Sequence, residues 1–415
     1  LNSVADGFTM LNLMQSAVKF QQDGYHDQTQ SIFATAQLGW KSKLYLDVTG
    51  RVDWSSALAW TDTRSVAYPS VGVSAILTEL LPIRNNVLTF LKVRASYSEV
   101  GNAPTRYIAY QTYPYESASP VTATTYPNTD IKPERTKAWE VGLQSHLWND
   151  KLELNVSLYK TSTYNQLFNP SISASSGYSS IYINGGQVDN KGIEASLTLN
   201  QPLGPVQWNS TFTYTINRNK IKKLLKPTTL SSGEVVKQDM MDLGGLEIVN
   251  SRLFEGGSIG DLYVTALRTD SHGYIDVDYV NNTVAIDNKA GERNDGWIYA
   301  GNSQAKYMMG WRNSFSWKGL TLSCLINARI GGIVVSQTQA MMDAYGVSTA
   351  TAEARDLGYV LIDGHKVPAV QKYYSTVGSG VGSMYVYNAT NVRLAELSLG
   401  YNIPVQKWVP WIQGM

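Results

Sequence analysis

The stretch LELNVSLYKTSTYNQ, residues 152–166, sets Leu152, Leu154, Val156 and Leu158 two apart, with Glu153, Asn155, Ser157 and Tyr159 between them. A period of two is the pattern of a β-strand with one apolar and one polar face. A soluble sheet resting on a core writes the same pattern. Whether the apolar face meets protein or lipid has to be read from the rest of the chain.

The pattern recurs along almost the whole length. Leu44, Leu46, Val48 and Val52 alternate with Tyr45, Asp47, Thr49, Arg51 and Asp53, and Leu91, Val93, Ala95 and Tyr97 with Lys92, Arg94, Ser96 and Ser98. Similar alternation runs through Trp139–Leu147, Ile193–Asn200, Thr211–Asn217, Leu320–Ile330 and Ala395–Ile403. Eleven such segments can be read, the first starting near Ser31 and the last ending near Asn402. They run roughly 9–12 residues, against about five or six for a strand of a globular protein and about 9–11 for a tilted strand crossing a bilayer. A further segment at 260–267 is too short to place in the same set.

The connections alternate between two classes. Those at 40–43, 149–150, 201–205 and 317–319 are short, with 80–87 slightly longer; those at 54–68, 99–135, 161–188, 218–306 and 331–390 are long. Tight turns at one end and large loops at the other are the signature of an outer-membrane β-barrel. Trp40, Trp54, Trp148, Trp208, Trp317 and Tyr401 sit near strand ends, as interfacial aromatic girdles do. The fold expected is therefore all-β, an antiparallel transmembrane β-barrel with short periplasmic turns and long extracellular loops, in the outer membrane. Single-chain bacterial barrels have an even number of strands. Eleven strands predict that residues 1–415 are part of a barrel, lacking strands at the front and at least one at the back. The unpaired edges of such a part are costly in lipid, so it is not expected to fold stably alone.

Composition agrees. Charged residues are only 16% of the 415 residues, while Tyr (26), Trp (11) and Gly (34) are abundant. Lys+Arg 34 against Asp+Glu 33 gives no basic field for nucleic acid. The chain has no apolar run long enough for a transmembrane helix, and its first residues do not read as a signal peptide. A single cysteine, Cys324, excludes an intrachain disulfide and a cysteine-based zinc site.

Six ordered stretches resemble the barrel of SusC-like (RagA/SusC type) TonB-dependent transporters of Bacteroidota. They are GRVDWSSALAW with YPSVGVSA, LKVRASYSEVGNAP, IKPERTKAWEVGLQ, INGGQVDNKGIEASL, KYMMGWRNSFSWKGLTLSCLI and NVRLAELSLGYNIP. Their residues have scaffold roles: Gly101, Gly142, Gly192 and Gly400 suit close backbone approach, Pro133 the opening of a strand, and Asn149-Asp150 a tight turn. The resemblance implies a plugged barrel of about 22 strands that imports an oligosaccharide or a peptide. It further implies a SusD-like surface lipoprotein as partner and TonB–ExbBD acting through an N-terminal plug region that is absent from this stretch.

Candidate ligand or lid contacts are the loop tyrosines Tyr107, Tyr110, Tyr113, Tyr115 and Tyr126, then Tyr164, Tyr178 and Tyr182, then Tyr345, Tyr373 and Tyr374; Tyr359, Tyr385 and Tyr387 share the last loop. An aromatic face stacks on the apolar face of a sugar, and the phenol donates a hydrogen bond. The alternative, for any one of them, is that it packs the loops together. No catalytic residue, cofactor or metal is expected. The four histidines lack metalloprotease spacing, Gly256-Gly257 and Gly331-Gly332 lack a following Lys-Ser/Thr, and the acidic stretch DSHGYIDVDY lacks the closing Glu of a calcium loop. Glu140, Glu153 and Glu194 are expected to pair with Lys92, Arg94 or Arg329 across the inner wall. A passive porin is the nearest alternative function. A soluble carbohydrate-binding protein or glycoside hydrolase is the more distant one, and it would need shorter strands, unsorted loops and a carboxylate pair.

Overall fold

Eleven antiparallel strands form one continuous sheet in which every neighbour in space is also the next wall strand in the chain. They are β1 (Thr29–Trp40), β2 (Leu44–Ser55), β3 (Ser65–Ile76), β4 (Leu88–Asn102), β5 (Glu134–Leu147), β6 (Leu152–Phe168), β7 (Ile183–Leu203), β8 (Val206–Lys223), β9 (Tyr307–Trp317), β10 (Leu320–Ile330) and β11 (Asn391–Tyr401). This computed structural model describes residues 26–403 apart from 112–114, 117–118, 121–123, 170–171, 173–176, 226–227, 230–232, 234, 237–238, 279 and 281–282.

The register sorts the side chains into uniform rows. Trp40, Leu44, Ala75, Val93, Leu143, Val156, Ala195, Tyr214, Met309, Ala328 and Val392 lie opposite one another in turn across all eleven strands. One residue along, on the other face, the row from β3 reads Ser74, Arg94, Gly142, Ser157, Glu194, Thr215, Met308, Arg329 and Asn391. A slip by one residue would exchange the faces, so the whole wall is held to a single pairing.

The apolar rows are not covered by protein: Val141 is 58% exposed, Leu158 49% and Leu399 70%. Buried apolar residues concentrate instead among the loops. One cluster joins Ile248 and Val284 to Ala340, Ile362, Val367, Tyr373, Val377, Val381 and Tyr385. A contiguous exposed apolar face on a sheet whose backbone groups are satisfied strand to strand is suited to hydrocarbon rather than water.

The tight ends follow from local backbone chemistry. Lys41 and Ser42 both have positive φ (50° and 57°), and Lys43 N donates to the Trp40 carbonyl at 2.9 Å. Lys318 and Gly319 (46° and 89°) repeat the pattern, and the β5–β6 turn has three left-handed residues in a row, Trp148, Asn149 and Asp150 (52°, 55° and 64°). Two consecutive left-handed residues give the turn whose twist matches that of paired strands.

At the other end, the loop between β8 and β9 carries its own four-stranded sheet of Met240–Leu246, Val249–Phe254, Asp261–Thr265 and Trp297–Asn302. The short segment at 260–267 therefore belongs to a loop sheet, and among the described residues the wall keeps eleven strands. The β10–β11 loop holds three helices that the all-β reading did not anticipate: α1 (Gln337–Ala344), α2 (Thr349–Leu357) and α3 (Val370–Gly380). Ser336 and Ser348 cap α1 and α2 by accepting from the N–H of Gln339 and Thr351, each at 3.2 Å. The two loops are tied together: Gly382 N donates to Thr265 Oγ1 at 2.9 Å, and Ile275 N to Asp363 Oδ2 at 2.6 Å.

Inside that shared core the Tyr385 hydroxyl donates to Asp343 Oδ2 at 2.9 Å. Burial first, and this bond second, hold the phenol above its ordinary range. A raised phenol keeps its proton preferentially in the folded state. Its contribution is complete below about pH 10 and lost as the pH climbs past the folded value. Tyr385→Phe is expected to weaken the loop core by about 1–3 kcal/mol at neutral pH and to remove part of its alkaline transition. Near-ultraviolet circular dichroism against pH reads both; an unchanged alkaline transition would show that Tyr385 does not drive it.

Candidate functional site

The loop sheet between β8 and β9 frames a cavity of about 660 Å³ lined by Arg252, Phe254, Asp261, Tyr263, Gly291, Glu292, Arg293, Asp295, Trp297, Ile298 and Tyr299. Strand alternation supplies it: Arg252 and Phe254, Asp261 and Tyr263, and Trp297 and Tyr299 are each two apart on neighbouring strands. A register shift between Leu262 and Tyr263 sets Tyr263 directly opposite Tyr299. Such bulges re-aim a side chain. Gly291, at φ 86°, leaves room for the carbonyl of Trp297.

The aromatic rings form a bent shelf. Phe254 and Tyr263 have centroids 5.4 Å apart, and Tyr263 and Tyr299 5.5 Å. The Arg252 guanidinium lies 4.9 Å from the Trp297 ring centre and Arg293 lies 5.8 Å from that of Phe254, within cation–π range. Arg252 is only 7% exposed. Its Nη1 donates to Asp295 Oδ2 at 2.7 Å, and its Nε, 3.6 Å from Asp242 Oδ2, has no hydrogen-bond acceptor. Asp261 accepts from Ser258 N (2.7 Å), Asn302 Nδ2 (2.9 Å) and the Tyr299 hydroxyl (3.2 Å). Burial, then Asp261, pushes the phenols of Tyr263 and Tyr299 upward, so both remain protonated donors at neutral pH. The arrangement offers stacking faces, two phenols and charges of both signs.

The tyrosines singled out from sequence lie elsewhere. Tyr110 stacks on Trp60 at 4.8 Å, and Tyr107 and Tyr110 are both exposed. Tyr113 lies outside the described residues; of Tyr115 only the backbone, in the two-residue strand Tyr115–Glu116, is described. Tyr126 meets Tyr178 edge-on at 5.2 Å, and Tyr126 also packs on the loop cluster of Phe168, Ile181, Ile183 and Leu225. Tyr182 is half-buried, and its carbonyl accepts from Asn128 Nδ2 at 2.8 Å. Tyr164 stands on β6, with Lys137 5.9 Å from its ring centre. Tyr345 is 76% exposed at the end of α1, whereas Tyr373 is buried in the loop core with Tyr374 against it at 5.1 Å. None of these lines the 660 Å³ cavity. In the acidic stretch, Asp270 accepts from the N–H of His272 and Tyr274, and Asp276 pairs with Arg268 at 2.7 Å. Among the described residues no group of three or more His, Cys, Asp or Glu is placed to hold a metal.

On the polar face of the wall, Arg94 lies across Gly142 and reaches Ser157 (2.5 Å), Asn155 (3.3 Å) and Glu140 (3.5 Å). A Cβ at position 142 would sit 2.5 Å from the guanidinium, so glycine is required for this placement. Of the expected carboxylate pairs this is the one formed. Glu153 takes the amide of Asn200, and Arg329 reaches the carbonyl of Ser303.

A family model described as "TonB dependent receptor-like, beta-barrel" matches residues 3–239, more than half of the chain. The chain belongs to the TonB-dependent receptor β-barrel family. TonB-dependent receptors P3 and P26 of Formosa agariphila are 26% and 25% identical to it, covering 95% and 92% of this chain. The chain spans 40% of the length of each. Solved structures of similar fold include the RagAB peptide transporter (TM-score 0.70, 20% identity, 94% of this chain and 42% of that one) and the RagAB peptide importer in its open-open state (TM-score 0.69, 20% identity, 92% and 41%). The receptor barrel thus shares its fold with the RagAB structures and spans the outer membrane. Its apolar rows face lipid, its polar rows line the lumen, its short turns are periplasmic, and the cavity at Arg252 lies among the extracellular loops.

Proposed function

We propose that this receptor barrel forms part of the wall and loop surface of an active importer, which takes an oligosaccharide or a peptide through the outer membrane under TonB–ExbBD drive. In this reading a plug and further strands of the same transporter complete a barrel of about 22 strands, and a SusD-like lipoprotein closes over the loop end. The observation that carries it is the cavity among the loops, with aromatic shelf, phenol donors and charges of both signs above a polar inner wall. Binding pockets combine apolar and aromatic surface with a few fixed polar groups. Phe254, Tyr263 and Tyr299 suit the apolar face of a sugar or side chain, and Glu292 and Arg293 suit polar or ionic groups of the cargo.

The test is uptake of labelled oligosaccharides and of labelled peptides by cells carrying the intact transporter. Combined Tyr263→Ala and Tyr299→Ala is expected to weaken cargo binding by roughly five- to 150-fold, since stacking on two rings contributes on the order of 1–3 kcal/mol. Uptake that persists after collapse of the proton gradient would overturn the reading in favour of a passive porin. Uptake of neither cargo class would remove it altogether.

A further inference from the structure

One of the outer rows on the lipid side changes character as it crosses the wall. Tyr97 on β4 lies opposite Trp139 on β5, and Trp139 opposite Lys160 on β6. Lys160 then lies opposite Lys191 on β7, and Lys191 opposite Arg218 on β8. These three cations continue the apolar series Val156-Leu158, Ala195-Ile193 and Tyr214-Ile216, so they share the lipid-facing side. From Leu152 to Lys160 the strand rises about 26 Å along its axis, or about 20 Å along the membrane normal at a tilt of about 40°. Lys160 and its neighbours therefore stand at the outer margin of the hydrocarbon, level with the girdle ring of Trp139.

Like charges directly opposite on paired strands repel, and here two consecutive pairs are both cation against cation. One strand pair away, the same face solves that problem internally: Glu99 lies 3.4 Å from Arg135 and 3.6 Å from Lys137. Lys160 and Lys191 have no carboxylate within ion-pair distance among the described residues, and Arg218 donates only to the carbonyls of Asn217 and Lys306, at 3.2 and 2.7 Å. Asp189, one step outward from Lys191 and opposite Lys220, is occupied by the Gln187 amide at 2.9 Å. All three cations are exposed. The row has the charge deficit, the depth and the flanking aromatic ring of a site for an anionic headgroup.

We infer that Lys160, Lys191 and Arg218 form a docking site on the outer wall for the phosphate groups of an outer-leaflet phosphorylated lipid. The lipid neutralises the repulsion along the row, and its chains lie on the apolar strands beneath. The inference rests on the orientation of the wall in the membrane and is independent of the cargo.

The intact protein, extracted in detergent from outer membranes, would be titrated with lipid A, with the same lipid after enzymatic removal of its phosphates, and with inorganic phosphate. Retained ligand would be counted by native mass spectrometry. Lipid A is expected to bind the wild type about a hundredfold more tightly than K160Q/K191Q/R218Q, roughly fivefold per cation, and K160R/K191R/R218K to bind as the wild type does. K160Q/K191Q, which leaves the Arg218–Lys306 bond in place, serves if the triple variant does not fold, with about a twenty-five-fold loss expected. Equal binding of the dephosphorylated lipid, equal retention by the Gln variants, or inorganic phosphate binding as tightly as the lipid would each overturn the proposal.

Discussion

Ala195→Arg is expected to destabilise the folded barrel by about 2–4 kcal/mol, and Ser196→Arg, one residue along the same strand, by less than about 1 kcal/mol. Ala195 lies on β7 in the apolar row that crosses all eleven strands, four residues from Lys191 and four from Leu199. That places it near the middle of the hydrocarbon, where a guanidinium loses its hydration without a partner. Ser196 faces the other way. Its register neighbours are Asn155 on β6 and Thr213 on β8, and an arginine there meets a watery lumen. Denaturant titration of the intact barrel in lipid vesicles compares the two on one backbone. Equal costs, or a larger cost at Ser196, would mean that the faces are assigned the wrong way round.

A second large effect is expected at Arg252. Its guanidinium is nearly fully buried, pairs with Asp295 and lies over Trp297. Removing one partner of a buried pair strands the other charge and typically costs about 3–5 kcal/mol. Asp295 retains some exposure, its side chain at 32%, which puts Arg252→Ala at the lower end, about 3 kcal/mol. The loss should stay local: hydrogen exchange should accelerate in the four loop strands while the wall remains protected. Removing both charges together in Arg252→Leu/Asp295→Leu should cost less than Arg252→Ala alone, because no uncompensated charge remains. A double variant worse than the single one would mean that the pair itself, and not the stranded carboxylate, holds the loop sheet.

The wall was legible because lipid imposes one rule on every strand. An apolar residue at every second position across the hydrocarbon leaves a mark in each segment, and the turns Lys41-Ser42 and Asn149-Asp150 mark the ends. The loops obey no such common solvent. Tyr263, Trp297 and Tyr299 lie in a stretch that lacks the length of a wall strand. Their signal was the spacing of two between Asp261 and Tyr263 and between Trp297 and Tyr299, in short runs ended by Gly260 and Gly301. The link from Arg252 to Asp295 crosses 43 residues and follows from no local pattern. The helices left a clearer trace: Ser336 with Gln339 three residues on reads as a helix start, and Val370, Tyr373, Tyr374 and Val377 recur at helical spacing. That spacing also explains why aromatic enrichment alone did not separate Tyr373, buried against the β8–β9 loop, from Tyr345, which is open to solvent.

The paired left-handed residues at the periplasmic turns bear on how the wall comes to be built. A hairpin closed by two residues can form in about 1–10 μs, and its turn fixes the register before any distant strand arrives. β1–β2, β5–β6 and β9–β10 are three such ready-made staves, and β7–β8, closed by Gly204 (φ 60°) and Pro205, is a fourth. Joining one stave to the next means closing a loop of any length up to that between β8 and β9, yet each doubling of loop length adds only about 0.6 kcal/mol. Large extracellular insertions can therefore be exchanged or enlarged with little effect on the order of assembly, while one inserted residue at Asn149-Asp150 would throw every later strand out of step.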